Sequence, residues 1–418
     1  MHSHTSGEHR SPNHGVEDGS LESSYPQMTT IKDSVHDYIE LDPTAEALLD
    51  TAEMQRLRAV RQLSTVQLVY PSANHTRFEH SLGVYHLASR AVEQLELEPA
   101  LADRLRAAAL VHDVGHGPFG HQTEAAIERH LGRHHDEIEW LLTDSDLGDV
   151  LEAQGLDPEA VAATVDGRGP LGELVSGPLD VDRLDYLVRD AHHTGVPYGT
   201  IDHARLLYSL RIVDGELALE AGDVATAESA LIARTLMNAT VYRHHVSRIA
   251  GAMLDRASER ILADGAVDAD RFARLTDAEL LATLEGHAPT ADVATRLRER
   301  RLYKRAVWLP RGDVPDRFVG LEYDRTRDLE REIAAVADVD PAAVVVDSPS
   351  EPSSPESRAR IVVDGDLRRL EERSSLVAGL DACAREIWRL GVYARPDTVE
   401  SVREAAADVL EVNADVVP

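Results

Sequence analysis

From Pro99 onward the apolar residues fall on a helical stripe that ends on a histidine: Leu101, Leu105, Ala108 and His112 follow at spacings of four, three and four. An imidazole on the face that turns to the core constrains the fold strongly, because the ring must find partners inside. Asp113 follows directly, and Gly115, Gly117 and Pro118 end the helix just beyond the pair. His116 and His121 come within the next nine residues. Imidazole and carboxylate together can hold a divalent metal, and nearby imidazoles can meet phosphate charge and move protons. For His112 alone, a satisfied core histidine is the simpler account. Matching residues elsewhere decide the case.

From Ile31 the pattern is mostly helical. Asp42-Pro43 is a helix start, followed by an apolar stripe through Leu48, Leu49, Ala52, Leu57, Val60 and Leu63. Helices are expected over about 81–95, from Pro99 to the His-Asp pair, and over about 134–143, 178–193 and 224–262. The last hundred residues read differently. Residues 306–309, 343–346 and 360–363 are strand-like, 348–357 form a Pro/Ser/Glu loop, and 370–382 and 399–409 are helical. The expected organisation is a tail over 1–27 without periodicity, a helical domain over 28–300 and a smaller α+β lobe over 301–418. The fold class is mainly α.

The formal charge is −31, from 74 acidic against 43 basic residues, and only Lys32 and Lys304 are lysine. An acid excess with arginine for lysine suggests adaptation to concentrated salt, as in a halophilic archaeon. It argues against nucleic acid as a stable partner, which needs a basic footprint. At molar salt the screening length is about 3 Å, so only local arginines would serve an anionic substrate. Cys383 is the sole cysteine, which rules out an intrachain disulfide and a thiolate metal site. No apolar run is long enough to span a membrane and no signal peptide is visible, so a cytoplasmic location is expected.

Four segments supply candidate metal ligands: His80, the pair His112 and Asp113, and Asp182 in Asp180-Val181-Asp182-Arg183-Leu184-Asp185-Tyr186. Two histidines and two carboxylates suit a divalent ion such as Mn, Mg, Fe, Zn or Ni, with positions open for water and phosphate oxygen. On the helix expected near 178–193, Asp182, Tyr186, Arg189 or Asp190, and His193 share one polar face. Arg77, Arg183 and Arg234 are candidates for binding phosphate.

The order His…His-Asp…Asp resembles the signature of the HD superfamily of metal-dependent phosphohydrolases. The stretches Gln55–Arg58 with Gln62-Leu63, His75–Val84, His112–His121, Val181–His193 and Tyr242–Val246 resemble its deoxynucleoside triphosphate (dNTP) triphosphohydrolase branch, which includes an animal enzyme with a SAM domain. The resemblance covers about residues 28–310. It implies an HD-domain helical bundle that hydrolyses dNTPs to deoxynucleoside and inorganic triphosphate. It also implies His80, His112, Asp113 and Asp182 as ligands, and His121 as the acid for the leaving 5′-oxygen. His116 and His135 would face phosphate, with Glu124 as carboxylate partner of His116 and Asp136 paired with His135, or with His134 and Glu137 in a register shifted by one. Gln62 would meet the sugar 3′-hydroxyl, and the Tyr242 ring would pack against C2′, with Tyr186 nearby. Arg183 stands where the animal enzyme has lysine. Asp50, Gln55 and Arg58 match positions of a nucleotide activator, and a homo-oligomer is the family tendency. Two alternatives stay open. One is an HD phosphohydrolase acting on a monophosphate, a cyclic nucleotide or guanosine tetraphosphate; the other is a nucleotide-binding regulator without turnover.

Overall fold

The computed structural model describes residues 29–143, 145–351 and 359–412, and the expected tail over 1–27 lies outside them. The fold is mainly α, with small sheets and a C-terminal α+β lobe. Its main core is built around the helices Arg77–Gln94, Pro99–Val111 and Val181–Thr194.

Local chemistry sets each of these helices. Thr76 caps the first and forms a reciprocal capping box with Glu79, so this helix begins at Arg77 rather than near Ser81. Pro99 opens the second, whose C-cap is His112. Asp180 accepts the Arg183 N–H to start the third, and Gly195 ends it in the left-handed conformation. Gly83 lets the first and third helices close together: a Cβ there would lie 1.9 Å from Asp185 Oδ1 and 2.4 Å from Arg189 Nη2.

The helix expected over 224–262 is broken. It runs Val224–Met237, passes through a π turn at Asn238–Tyr242, and restarts at His245–Ala263 with His244 as N-cap. Such a turn shifts the side chains that follow it relative to the first helix. The helix expected from 134 begins only at Glu139.

Three hairpins and a further three-stranded sheet occur among the described residues. β1 (Thr30–Asp33) pairs antiparallel with β2 (Asp37–Glu40), and β3 (Leu210–Val213) with β4 (Glu216–Glu220). β5 (Lys304–Pro310) and β6 (Val344–Asp347) come next in the chain, then β7 (Arg360–Val363), which pairs with β8 (Asp366–Arg369). The turns Asp214-Gly215 and Asp364-Gly365 have positive φ at both residues, the geometry that two-residue hairpins favour. β7 also lies parallel to β4, giving the sheet order β3-β4-β7-β8. Ala359, Ile361, Leu370 and Val377 therefore join the main core. β9 (Arg389–Ala394) lies between β5 and β6, antiparallel to both. The helices Tyr323–Ala337 and Val399–Leu410 pack on this second sheet over a core of its own. The residues after 300 thus divide between the helical body and the lobe.

Candidate metal centre and phosphate pocket

His80, His112 and Asp113 are all buried, and their ligand atoms lie within 4.8 Å of one another. Asp182 joins them: its Oδ1 is 2.9 Å from His80 Nε2 and 3.7 Å from His112 Nε2. Asp113 Oδ1 is 3.5 Å from His112 Nε2. Donors bound about 2.1 Å from one ion stand roughly 3–3.5 Å apart, so this spacing suits a shared cation.

The partners behind the donors strengthen the fit. His112 Nδ1 donates to the Ala109 carbonyl at 2.8 Å, which leaves a buried Nε2 with no hydrogen-bond partner among the described residues. His80 Nδ1 donates to Asp185 Oδ2 at 2.7 Å and so turns Nε2 toward the other donors. Burial opposes charge on His80, yet the Asp182 and Asp185 carboxylates outweigh it and push the ring up to about 10. A cation held by these donors would take the place of the Nε2 proton. Asp113 is held well below the usual carboxylate range: burial opposes this, and the Arg77 guanidinium, 2.7 Å away, dominates. Asp182 is lowered too, against burial, by the two imidazoles beside it, His112 at 3.7 Å and the hydrogen-bonded His80 at 2.9 Å.

Asp185 was not assigned a role from sequence. It is fully buried and accepts from His36, His80 and twice from Arg189. Arg189 also grips Asp33 on β1, so the first hairpin is tied to the ligand shell. An acidic residue one turn after a ligand, on the buried side of the helix, was the available signal.

The loop after the pair is over-determined. Phe119 has a φ of 57°; its N–H goes to Asp277 Oδ1 at 2.7 Å and its carbonyl accepts from Ser64 Oγ at 2.6 Å. Gly120, also at positive φ, faces Arg77: a Cβ there would lie 2.4 Å from the guanidinium. This loop delivers His116 and His121. His116 is buried, with Nε2 3.3 Å from Asp113, and its ring stacks on His135 at 3.9 Å. Burial first, then the charges of Arg77 and His135, keep His116 well below the ordinary histidine range. His121 is 65% exposed and 4.7 Å from His116, ring to ring.

Two pairings differ from expectation. Glu124 lies on His121 Nδ1 at 2.8 Å and on His135, not on His116. Its longer side chain and its place one turn after His121 carry it past His116. Asp136 bonds His134 Nδ1 at 2.8 Å instead of His135, because the segment before Glu139 is a turn rather than a helix.

On the other side of the ligands, Tyr242 donates to Asp190 at 2.8 Å, and Asp190 accepts from His75 at 2.8 Å. The Tyr242 and Tyr186 rings meet edge to face, and Arg234 Nε donates to the Tyr186 hydroxyl at 3.2 Å. Burial, then the charge of Asp190, raises the Tyr242 phenol well above its ordinary value. Arg183 turns toward Asp180 and the Gly177 carbonyl. The Gln62 N–H bonds the His75 carbonyl, which sets it beside the start of the Arg77 helix. Gln55 and Arg58 meet at 2.9 Å, with Arg58 over the Phe78 ring; among the described residues no ion pair joins Asp50 to Arg58.

The buried His80, His112 and Asp113, with the partly exposed Asp182 against them, form a cluster in a helical bundle that could hold a metal ion. Residues 77–166 match the HD domain and residues 201–417 the HD associated region, and the chain belongs to that family. It is 31% identical over 385 residues to an uncharacterized protein of Methanocaldococcus jannaschii, covering 90% of this chain and 81% of that one. It is 32% identical over 279 residues to the deoxynucleoside triphosphate triphosphohydrolase SAMHD1 of Homo sapiens, covering 55% of this chain and 44% of that one. The chain thus spans less than half the length of that relative. A solved phosphohydrolase from Bacteroides thetaiotaomicron superposes with a TM-score of 0.70 at 26% identity, covering 88% of this chain and 100% of that one. No helix among the described residues is long and apolar enough to cross a membrane.

Proposed function

We propose that the chain hydrolyses deoxynucleoside triphosphates to deoxynucleoside and inorganic triphosphate. The observation that carries this reading is the linked wall Arg234–Tyr186–Tyr242–Asp190–His75, which flanks the four candidate ligands and presents an aromatic surface of the kind a sugar packs on. The relative named for this activity supports it.

His80, His112, Asp113 and Asp182 would hold the divalent ion, which supplies positive charge to polarise a phosphoryl oxygen and favours ionisation of water. In the proposed reaction a water oxygen bonds the α-phosphorus and the bond from that phosphorus to O5′ breaks. His121, its Nδ1 proton held by Glu124, offers Nε2 to protonate the departing O5′. His116 and His135 face the phosphates, and Arg77, clamped on Asp113, steadies the ligand while its buried Nε stays without a hydrogen bond among the described residues. Arg183 and Arg234 would supply further charge and Gln62 the 3′-hydroxyl contact. The Tyr242 ring excludes a ribose 2′-hydroxyl. A nucleotide activator on Asp50, Gln55 and Arg58 and a homo-oligomer belong to the same proposal.

The test is product identity from a dNTP and NTP panel with Mn or Mg at high KCl. Deoxynucleoside plus inorganic triphosphate is expected; inorganic phosphate or pyrophosphate would reject the reading. Tyr242→Ala should raise NTP turnover relative to dNTP, and an unaltered ratio would reject the sugar-gate role.

A further inference from the structure

A cavity of about 450 Å³ has His121 and Tyr242 in its lining and reaches the C-terminal lobe at Val345–Ser348. A cavity of this size can take a nucleoside. On the reading proposed above, His121 meets O5′ and Tyr242 meets C2′, so the departing nucleoside lies in this space. What the lobe presents there then bears on which base is accepted.

Asp347, the last residue of β6, lines the cavity and is 21% exposed. Three donors converge on one of its oxygens. Arg248 Nε lies 2.8 Å from Oδ2, Arg248 Nη2 2.7 Å, and the Tyr393 hydroxyl 2.7 Å. Arg248 is itself fixed by the Arg389 carbonyl at 2.8 Å and by the Trp308 ring at 4.7 Å. Oδ1 takes no hydrogen bond among the described residues. Stapling the helix His245–Ala263 to the lobe needs only Oδ2. The remaining oxygen belongs to a residue of the cavity wall whose other oxygen is held by three donors, and a carboxylate oxygen can only accept.

Nucleobases differ in what they offer such an acceptor. Cytosine, adenine and guanine each carry an exocyclic amino donor, whereas thymine carries carbonyl acceptors at O4 and O2 and donates only through its ring N3–H. We propose that Asp347 is a specificity-determining residue, its Oδ1 accepting from the exocyclic amino group of the base, so that amino-bearing dNTPs are preferred over dTTP. This rests on the dNTP reading of the site.

The substitution Asp347→Asn tests it sharply. Arg248 and Tyr393 all donate, so the asparagine must place its oxygen where Oδ2 was. Its amide nitrogen then stands in place of Oδ1, and an acceptor becomes a donor. The staple keeps its hydrogen bonds, although Arg248 loses its counter-charge, so the melting midpoint should fall while the variant still folds. Discrimination between dCTP and dTTP in kcat/KM should be roughly tenfold or more in the native chain, as expected for a hydrogen bond to a charged group. It should fall by at least tenfold, or invert, in the asparagine variant. An equal ratio in both proteins overturns the proposal. Binding of deoxycytidine against thymidine by calorimetry reads the same contact without turnover or folding of a variant. Tighter deoxycytidine binding is expected, and equal or absent binding overturns the proposal. If dNTPs are hydrolysed without base preference, this inference fails and the dNTP reading stands. If no dNTP is turned over yet deoxycytidine is preferred, the site reads a base but the reaction is another.

Discussion

The two ends of the histidine cluster are built differently. At the ligand end, His80, His112 and Asp113 sit in the core, and each is held by a partner on or beside a regular helix: Asp185, the Ala109 carbonyl and Arg77. At the outer end, His121 and His134 are exposed, and Glu124 and the half-buried His135 sit among them on a helix start and a turn. A buried charged group must have its partners built in, whereas an exposed one can exchange them with water. The inner end is therefore a fixed template and the outer end an adjustable one.

The largest expected effect breaks the template. Asp182→Ala should lower turnover on the order of 10³-fold or more, because the ion loses a charged donor. Calorimetric titration with Mn should show the matching loss of affinity. Retained turnover with retained metal binding would remove Asp182 from the ligand set. A smaller effect separates ligand from support. Asp185→Asn leaves all four proposed donors in place but weakens the hold on His80, and metal affinity should fall about 10- to 100-fold. An unchanged affinity would make Asp185 a purely structural anchor for Arg189 and His36.

The same contrast explains what could be read from the residues alone. The grouping of the inner set was legible from the ordered pattern of His80, His112, Asp113 and Asp182, not from His112 alone, for which a satisfied core histidine was the simpler account, and Asp182 starts a helix whose polar face is regular. Gly83 and Asp185 were on the page as letters, but their role is a contact between two helices, and only packing shows it. The partners of Glu124 and Asp136 were misread because they depend on a turn, where one residue of register changes every neighbour. The break at Asn238–Tyr242 was hidden for a related reason: a π turn keeps a near-helical apolar pattern. The Asp-Gly pairs at 214–215 and 364–365 mark hairpins that the reading of the residues did not include, and the parallel pairing of β4 with β7 joins residues far apart in the chain and left no local mark.

The outer end makes its own prediction. Glu124→Gln should reduce kcat about 10- to 100-fold, since it loosens both His121 and His135 and proton transfer at such a site is worth roughly 10²–10⁴-fold. Asp136→Asn touches His134 alone and should change kcat by less than about twofold, as for an exposed pair. Steady-state kinetics on both variants decides whether the outer carboxylates differ as their partners do. Equal losses would restore the pairing of Asp136 with His135.

The smallest effect concerns the histidines behind the template. The His86 ring lies 5.0 Å from that of His36, which holds Asp185 and through it His80. Burial first, then the charges of His36, Arg90 and His203, outweigh the opposing pull of Asp185 and depress His86 from 6.5 to about 4. His203 is lowered in the same way, with Asp202 also opposing. A histidine depressed in the folded state contributes its stability above the unfolded value and loses it as the pH falls through the folded one. The metal-free protein should therefore show a falling melting midpoint between pH 6.5 and about 4. His86→Gln removes one of the rings that must stay neutral, so its midpoint should fall less steeply over that window, and the midpoints of the two proteins should converge at its acid end. An identical pH profile in both proteins would remove His86 from the acid-sensitive groups, since Glu124, held far below its ordinary range by His121 and His135 against burial, gives up its contribution only below the ordinary carboxylate value of 4.5.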